Sequence, residues 1–225
     1  DNRIRELIPQ ELLDCRQAIR FALEKLRLQQ VETSWTDAGA VAPVEWSTQE
    51  DPDWAGGTIF KDDRRILVKC PAEKLWPAVI GIGGKTGWYY ADWLWHLRGW
   101  MDRLLGGPGL GRGRRDPAKV QVGDALDFWR VLAVEPSHRL KLVAEMKLPG
   151  EAVLELVLTE CADGTTEVRQ YARFKPRGLL GLLYWYSVLP FHNLVFVGML
   201  KGIAMASAAD IVSGPTIIQP EGKRH

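Results

Sequence analysis

The chain has 225 residues, 46% of them hydrophobic and 25% charged, with 29 Lys and Arg against 28 Asp and Glu. Ordinary globular composition with a net charge of +1 excludes wholesale disorder and removes the simplest case for nucleic-acid binding, a strongly basic domain. At about 150 residues per domain, the length suggests one large domain with an appendage.

Ten Trp beside five Tyr and six Phe point to a large cavity, an interface or a membrane boundary, because an indole combines apolar area with an N–H that needs a partner. Cys15, Cys70 and Cys161 form no CxxC pair, so neither a disulfide framework nor a zinc ribbon is indicated. Reduced thiols in a cytoplasmic protein are the expectation. The opening DNRIRELIP has no Met and no secretory pattern, and we expect the chain to be a piece of a longer one.

In chain order, residues 9–30 are predicted to form a helix. Pro9 suits its first position, Glu11 its N-terminal end, and Leu12, Cys15, Ile19, Ala22, Leu23 and Leu26 make an apolar stripe. Residues 31–57 are rich in turn formers and are expected to be a linker with one or two short strands. Residues 65–70 predict a strand stopped by Pro71, and residues 71–82 a short helix. Gly81, Gly83, Gly84 and Gly87 then break the chain before a second helix at 89–105.

The clearest signal lies between residues 125 and 175. Phe128, Arg130, Leu132 and Val134 alternate with Asp127, Trp129, Val131 and Ala133. Leu140, Leu142, Ala144, Met146 and Leu148 then alternate with Arg139, Lys141, Val143, Glu145 and Lys147, a period of two. Ala152, Leu154, Leu156 and Leu158 give a third apolar face, and Val168, Gln170, Ala172 and Phe174 a fourth, with turns at 135–138, 149–150 and 162–164. Four strands on short turns make an antiparallel meander with one wet and one apolar face.

The apolar face needs a cover, and the hydrophobic segment 178–209, interrupted by Pro190, supplies it. The fold class expected is α+β: a helix grip, in which a curved antiparallel sheet is covered by a long C-terminal helix, with an extra N-terminal helix.

Several long words carry a resemblance. GWYYADWLWHLRGWMDRLLGGPGLGRGRRDP (87–117), GDALDFWRVL (123–132), LVAEMKLPGEAVLEL (142–156) and RFKPRGLLGLLYWYSVLPFHNLVFVGMLKGIA (173–204) resemble a bacterial domain family of unknown function. That family is found C-terminal to atypical, NmrA-like short-chain dehydrogenase/reductase domains and is similar to the START/SRPBCC helix-grip superfamily. The resemblance spans about residues 55–210. It implies a cavity between sheet and long helix that holds an apolar or amphipathic ligand, and no established catalytic residue. Residues 1–30 resemble the closing helix of the preceding reductase domain, which leaves 58–213 as the helix-grip domain and 214–225 as a tail.

No cofactor is expected within these residues, and NAD(P) is expected only in the missing domain. Gly107, Gly109, Gly111 and Gly113 lack the dinucleotide spacing, the preceding strand and the acidic residue about 20 positions on. Gly84-Lys85-Thr86 resembles the end of a phosphate loop, but that pattern needs Gly where Val79 stands, and a plain loop before a helix accounts for it.

Asp92 and His96, four apart on the second helix, are weak candidates for an acid–base pair; helix-surface pairing or a buried structural pair is the preferred account, and Arg98 and Asp102 can share a face in the same way. No metal-ligand spacing accompanies them. Trp88, Trp93, Trp95 and Trp100 are either core packing or the rim of a ligand mouth. Arg98, Arg103, Arg112, Arg114, Arg115 and Lys119 against Asp102 and Asp116 give 6 − 2 = +4, either a solvated loop or a phosphate or carboxylate site.

Residues 179–200 carry no charge over 22 positions, long enough to cross a bilayer. Leaving for a membrane would strip the sheet at roughly 25 cal/mol per Å², so the lid reading is preferred. Peripheral membrane contact through Tyr184, Trp185 and Tyr186 beside Lys175 and Arg177 is the alternative.

The expected partners are a hydrophobic or amphipathic small molecule and the protein's own N-terminal reductase domain, with no nucleic acid. Leu142, Met146, Leu154, Leu156 and Phe174 from the sheet, with Leu183, Tyr186 and Phe196 from the helix, are expected to line the cavity. Trp93, Trp129, Arg114 and Arg115 are expected at its mouth. A register slip by one residue would exchange strand faces for Val153, Val157, Tyr171 and Arg173. The rival functions are the substrate-holding half of an NAD(P)-dependent oxidoreductase and a protein- or membrane-interaction module.

Overall fold

The computed structural model describes residues 13–27, 59–104, 106–107, 109 and 119–218. The expected linker 31–57 and the basic residues Arg112, Arg114 and Arg115 lie outside them.

Helix α1, Cys15–Arg27, falls within the expected 9–30 and belongs to a compact unit of its own. Asp14 sets its start: Oδ1 accepts the Gln17 N–H at 2.7 Å, and Gln17 Oε1 accepts the Asp14 N–H at 3.2 Å. That reciprocal pair satisfies two donors that the first turn leaves open.

The second unit holds every other described element. In order these are β1 (Phe60–Lys69), α2 (Ala72–Ile80), α3 (Asp92–Leu104), β2 (Ala125–Leu126), β3 (Trp129–Glu135), β4 (Arg139–Ala144), β5 (Gly150–Glu160), β6 (Thr166–Pro176), α4 (Gly178–Ala206) and β7 (Asp210–Ile217). The strands form one open antiparallel sheet in the order β2-β3-β4-β5-β6-β1-β7.

The α+β class and the helix grip are therefore present, with the meander at the expected positions. Side chains in register run across the sheet in rows: Leu142, Leu154, Ala172 and Asp62 in one, Leu140, Leu156, Gln170 and Arg64 in the next, then Leu158, Val168 and Ile66. All face the core, because residues two apart along a strand share a face. The opposite face is tied by ion pairs, among them Arg139–Glu155 at 2.5 Å, Arg173–Asp63 and Arg169–Glu167.

Four elements differ from expectation. Strand β1 begins at Phe60, five residues before the predicted 65, because Asp62 and Arg64 occupy inward positions and hide the apolar alternation. Helix α3 begins at Asp92 instead of residue 89: Tyr89 (φ 64°) and Ala91 (φ 53°) are left-handed, which no α-helix permits. Strand β4 ends at Ala144, so Met146 and Leu148 come from the loop that follows. Residues 214–217, the start of the expected tail 214–225, are part of β7, paired with β1 as far as Ile217, and residues 219–225 lie outside the described residues.

The long helix α4 runs unbroken through Pro190. Proline has no N–H, so the Tyr186 carbonyl lacks its intrahelical donor. The C-terminal half of α4 is core, with Val195, Phe196, Met199, Leu200, Ile203 and Ala204 buried. Its N-terminal half is only partly covered: Leu179, Leu180, Leu183 and Tyr186 are exposed, while Gly181 and Trp185 are buried.

Candidate functional site

A cavity of about 370 Å³ lies between the sheet, α3 and α4. Its floor includes Ala152, Leu154, Ala172 and Phe174 from β5 and β6. Helix α3 contributes Leu94, Trp95, Leu97, Arg98, Met101 and Asp102, and α4 contributes Tyr184, Trp185, Val188, Phe191, His192, Val195 and Phe196. The loop 146–149 and Trp129 of β3 complete the wall. A volume of this order is within the range of small-molecule sites.

Two aromatic groups hold the walls. Trp88, Trp95, Phe128 and Trp129 pack together, with Trp88 stacked on Trp95 at 4.6 Å and on Phe128 at 6.0 Å. Asp127 anchors that group: it is buried, left-handed at φ 55°, and accepts the Trp88 indole N–H at 3.0 Å and the Gly84 N–H at 3.2 Å. The loop that resembled a phosphate cradle thus spends the Gly84 N–H on the protein's own carboxylate. On the other side, Trp185 stacks on Phe60 at 4.9 Å and on Phe174 at 5.8 Å.

The polar groups on this apolar wall are mostly donors. The indole N–H groups of Trp95 and Trp129 are buried and make no hydrogen bond among the described residues, although the two residues are only 8% and 7% exposed. The buried Tyr184 hydroxyl likewise makes none. Burial pushes the Tyr184 phenol up, against the pull of the nearby Arg98 guanidinium. A buried donor without an acceptor costs about 1–3 kcal/mol, and three such groups belong to residues that border this one cavity. Arg98 lies over the Tyr184 ring at 5.4 Å and directs Nε to the Met146 sulfur at 3.0 Å.

Beneath α4 lies a buried charged group that the sequence reading did not identify. Arg64 donates from Nε and Nη2 to the two Asp62 oxygens, at 2.7 and 3.0 Å, and from Nη1 to Asn193 Oδ1 at 2.8 Å. His192 Nδ1 lies 3.4 Å from Asp62 Oδ2, an ion-pair distance without hydrogen-bond geometry. Burial alone would raise the Asp62 carboxyl, but His192 and Arg64 outweigh it and hold the group below the usual aspartate range. Gln170 sits fully buried in the same row as Arg64, with neither amide atom hydrogen-bonded among the described residues. Of this group His192 borders the cavity. An imidazole beside a carboxylate has the make-up for proton transfer.

The weak candidates Asp92 and His96 do not form that pair. Asp92 Oδ1 accepts the Trp88 backbone N–H at 2.8 Å, and His96 is exposed. Nor does Asp102 pair with Arg98; its oxygens accept backbone N–H groups from Gly109 and Lys147, each at 2.8 Å.

Of the residues expected to surround a ligand, Trp129, Met146, Leu154, Phe174 and Phe196 border the cavity, with Val153 and Arg173 from the reserve set. Leu142 and Leu156 are on the expected face of the sheet but buried in the core away from it. Leu183 and Tyr186 correct the helix assignment: 68% and 62% exposed, they point away because the inward face of α4 carries Tyr184, Trp185, Val188 and His192. Trp93, 63% exposed, is outside the lining as well. Val157 and Tyr171 do not reach the cavity, and Arg114 and Arg115 lie outside the described residues. The sequence reading missed Tyr184, Trp185 and His192 as lining residues because α4 is apolar all round and shows no stripe.

Residues 54–199 match the family model described as protein of unknown function (DUF2867), well over half of the chain, and the protein belongs to that family. No curated protein matches the chain. Among solved structures it is similar to a protein from Chromobacterium violaceum at 12% identity and TM-score 0.39, covering 65% of this chain and 96% of that one. It is also similar to norcoclaurine synthase from Thalictrum flavum at 10% identity and TM-score 0.39, covering 67% and 87%. An HSP90 activator from Plasmodium falciparum matches at 10% identity and TM-score 0.39, covering 69% and 99%. Likenesses of this order say nothing about ligand or reaction.

Proposed function

We propose that this domain binds a hydrophobic or amphipathic small molecule between its sheet and α4. The observation that carries the reading is the pairing of an apolar cavity of about 370 Å³ with buried, unpartnered N–H and O–H groups on residues that border it. A core filled for stability alone would leave neither the space nor the donors. The mechanism is burial of the guest's apolar body, with a few polar groups fixing its orientation. Native mass spectrometry of the purified protein, followed by organic extraction of what leaves it, tests this. A defined adduct of small-molecule mass supports it; a protein that stays apo against a broad panel of apolar compounds counts against it.

On the resemblance of residues 1–30 to the closing helix of a reductase domain, we also propose that the cavity works beside an NAD(P)-binding domain and presents its guest there. Turnover by a chain containing both parts, compared with Ala172→Leu in the cavity floor, tests that extension. Equal turnover separates the cavity from the chemistry.

A second reading rests on one observation of its own. Leu179, Leu180, Leu183 and Tyr186 of α4 and Trp93, Trp100 and Leu104 of α3 are exposed, and exposed apolar side chains in such number favour an interaction surface. In this reading the face lies on a lipid surface. Co-sedimentation with anionic vesicles tests it, and a protein that stays in the supernatant removes it.

A further inference from the structure

We infer that the guest carries an anionic, oxygen-rich end, a carboxylate, on an otherwise apolar body. The inference rests on the cavity being a binding site and names the class of molecule that fills it.

Trp95 and Trp129 are donors only, since an indole N–H cannot accept. Both are more than nine-tenths buried, both border the cavity, and neither N–H has a partner among the described residues. The stacked cluster with Trp88 and Phe128 fixes both rings, so neither indole turns easily to find an acceptor elsewhere. Tyr184 adds a buried hydroxyl without a hydrogen bond.

Arg98 adds the charge. Its neighbours here are a thioether sulfur and the face of a phenol ring, and no carboxylate pairs with it among the described residues. A guanidinium cannot lose its proton, and its planar fork matches a carboxylate bidentately.

Acceptors are correspondingly scarce. Asp102 is the one carboxylate among the lining residues, and its oxygens are taken by the backbone N–H groups of Gly109 and Lys147. The guanidinium of Arg173 lies on the opposite face of the sheet, bound to Asp63. The wall therefore has more donors than acceptors, with a guanidinium that no carboxylate neutralises among the described residues against the His192 imidazole and the Tyr184 hydroxyl as acceptors. A guest carrying a cation would leave Arg98 without a counter-charge. One carboxylate on an apolar body satisfies Arg98 and has lone pairs over for an indole or the phenol.

Four single-chain probes test this on the full chain by titration calorimetry, below their micellar concentrations: dodecanoate, its methyl ester, dodecyl phosphate and dodecyltrimethylammonium. We expect dodecanoate to bind at least tenfold more tightly than the ester and the cation, and Arg98→Met to erase that margin while leaving the ester unchanged. Trp129→Phe should weaken dodecanoate more than the ester. Equal affinities for the four probes, or tightest binding of the cation, overturn the inference while leaving the cavity reading intact. Tightest binding of the phosphate overturns the carboxylate assignment. Binding of none overturns the binding reading and the inference together.

Discussion

Asp62 of β1 and His192 of α4 face each other across the grip, with Oδ2 and Nδ1 3.4 Å apart. One belongs to the sheet and the other to its lid, and Arg64 and Asn193 extend the contact on either side. The lid is thus fixed by charge at the point where the cavity gives way to packed core.

That contact makes stability depend on pH in a definite direction. The Asp62 carboxyl is held below its ordinary value, so its contribution is complete above the unfolded value and disappears as pH falls through the folded one. Denaturant unfolding between neutral pH and the range below about 4, where aspartates titrate, should show the wild type losing stability on the acid side. Asp62→Asn should be less stable at neutral pH, by about 3 kcal/mol because the buried Arg64 loses its counter-charge, with a flatter acid limb. Parallel curves for the two proteins would refute the assignment.

Filling the cavity should separate stability from binding. Ala172 sits on the floor and is buried. Ala172→Leu should raise stability by about 1 kcal/mol, as cavity-filling changes commonly do, while weakening any bound guest. Thermal melts with and without the guest read both effects.

Neighbours on α4 should behave oppositely. Trp185→Ala removes a ring stacked between Phe60 and Phe174 and should cost about 3–5 kcal/mol. Leu183→Ala, two residues earlier and exposed, should change stability by less than about 0.5 kcal/mol. Equal losses would mean that the helix is rotated from the orientation described.

Asp127 has two tasks that one pair of substitutions distinguishes. Asp127→Ala strands the Trp88 indole N–H and places Ala at φ 55°, and should cost about 2 kcal/mol. Asp127→Asn keeps an acceptor and tolerates the left-handed backbone, so its loss should be smaller. Chemical denaturation of both variants gives the comparison.

The meander was legible because Leu140, Leu142, Leu154, Leu156, Val168 and Ala172 alternate with a set that includes Arg139, Lys141, Glu155, Glu167, Arg169 and Arg173, and a period of two has no other common reading. The same rule hid the first half of β1, where the inward positions are Asp62 and Arg64. Strand β7 was hidden because Asp210 opens it and Gly214-Pro215 interrupts it, a pair that reads as a loop. At the site, Met146, Leu154 and Phe174 followed from the strand pattern. The α4 side did not, since a helix apolar on every face gives no sign of which turn faces inward. The Asp62–Arg64–His192–Asn193 group joins distant segments, and no local spacing announces it.

The strand order also fixes an order of assembly. Strand β1, the first of its sheet to be synthesised, has β6 on one side and β7 on the other, and Asp63 meets Arg173 across 110 residues of chain. Strands β3, β4 and β5 pair with their immediate successors through short turns and can join early, whereas β1 waits for the far end of the unit. A nascent chain halted after β6 would leave one edge of β1 bare and α4 absent. Closure of the domain therefore coincides with the arrival of its last elements.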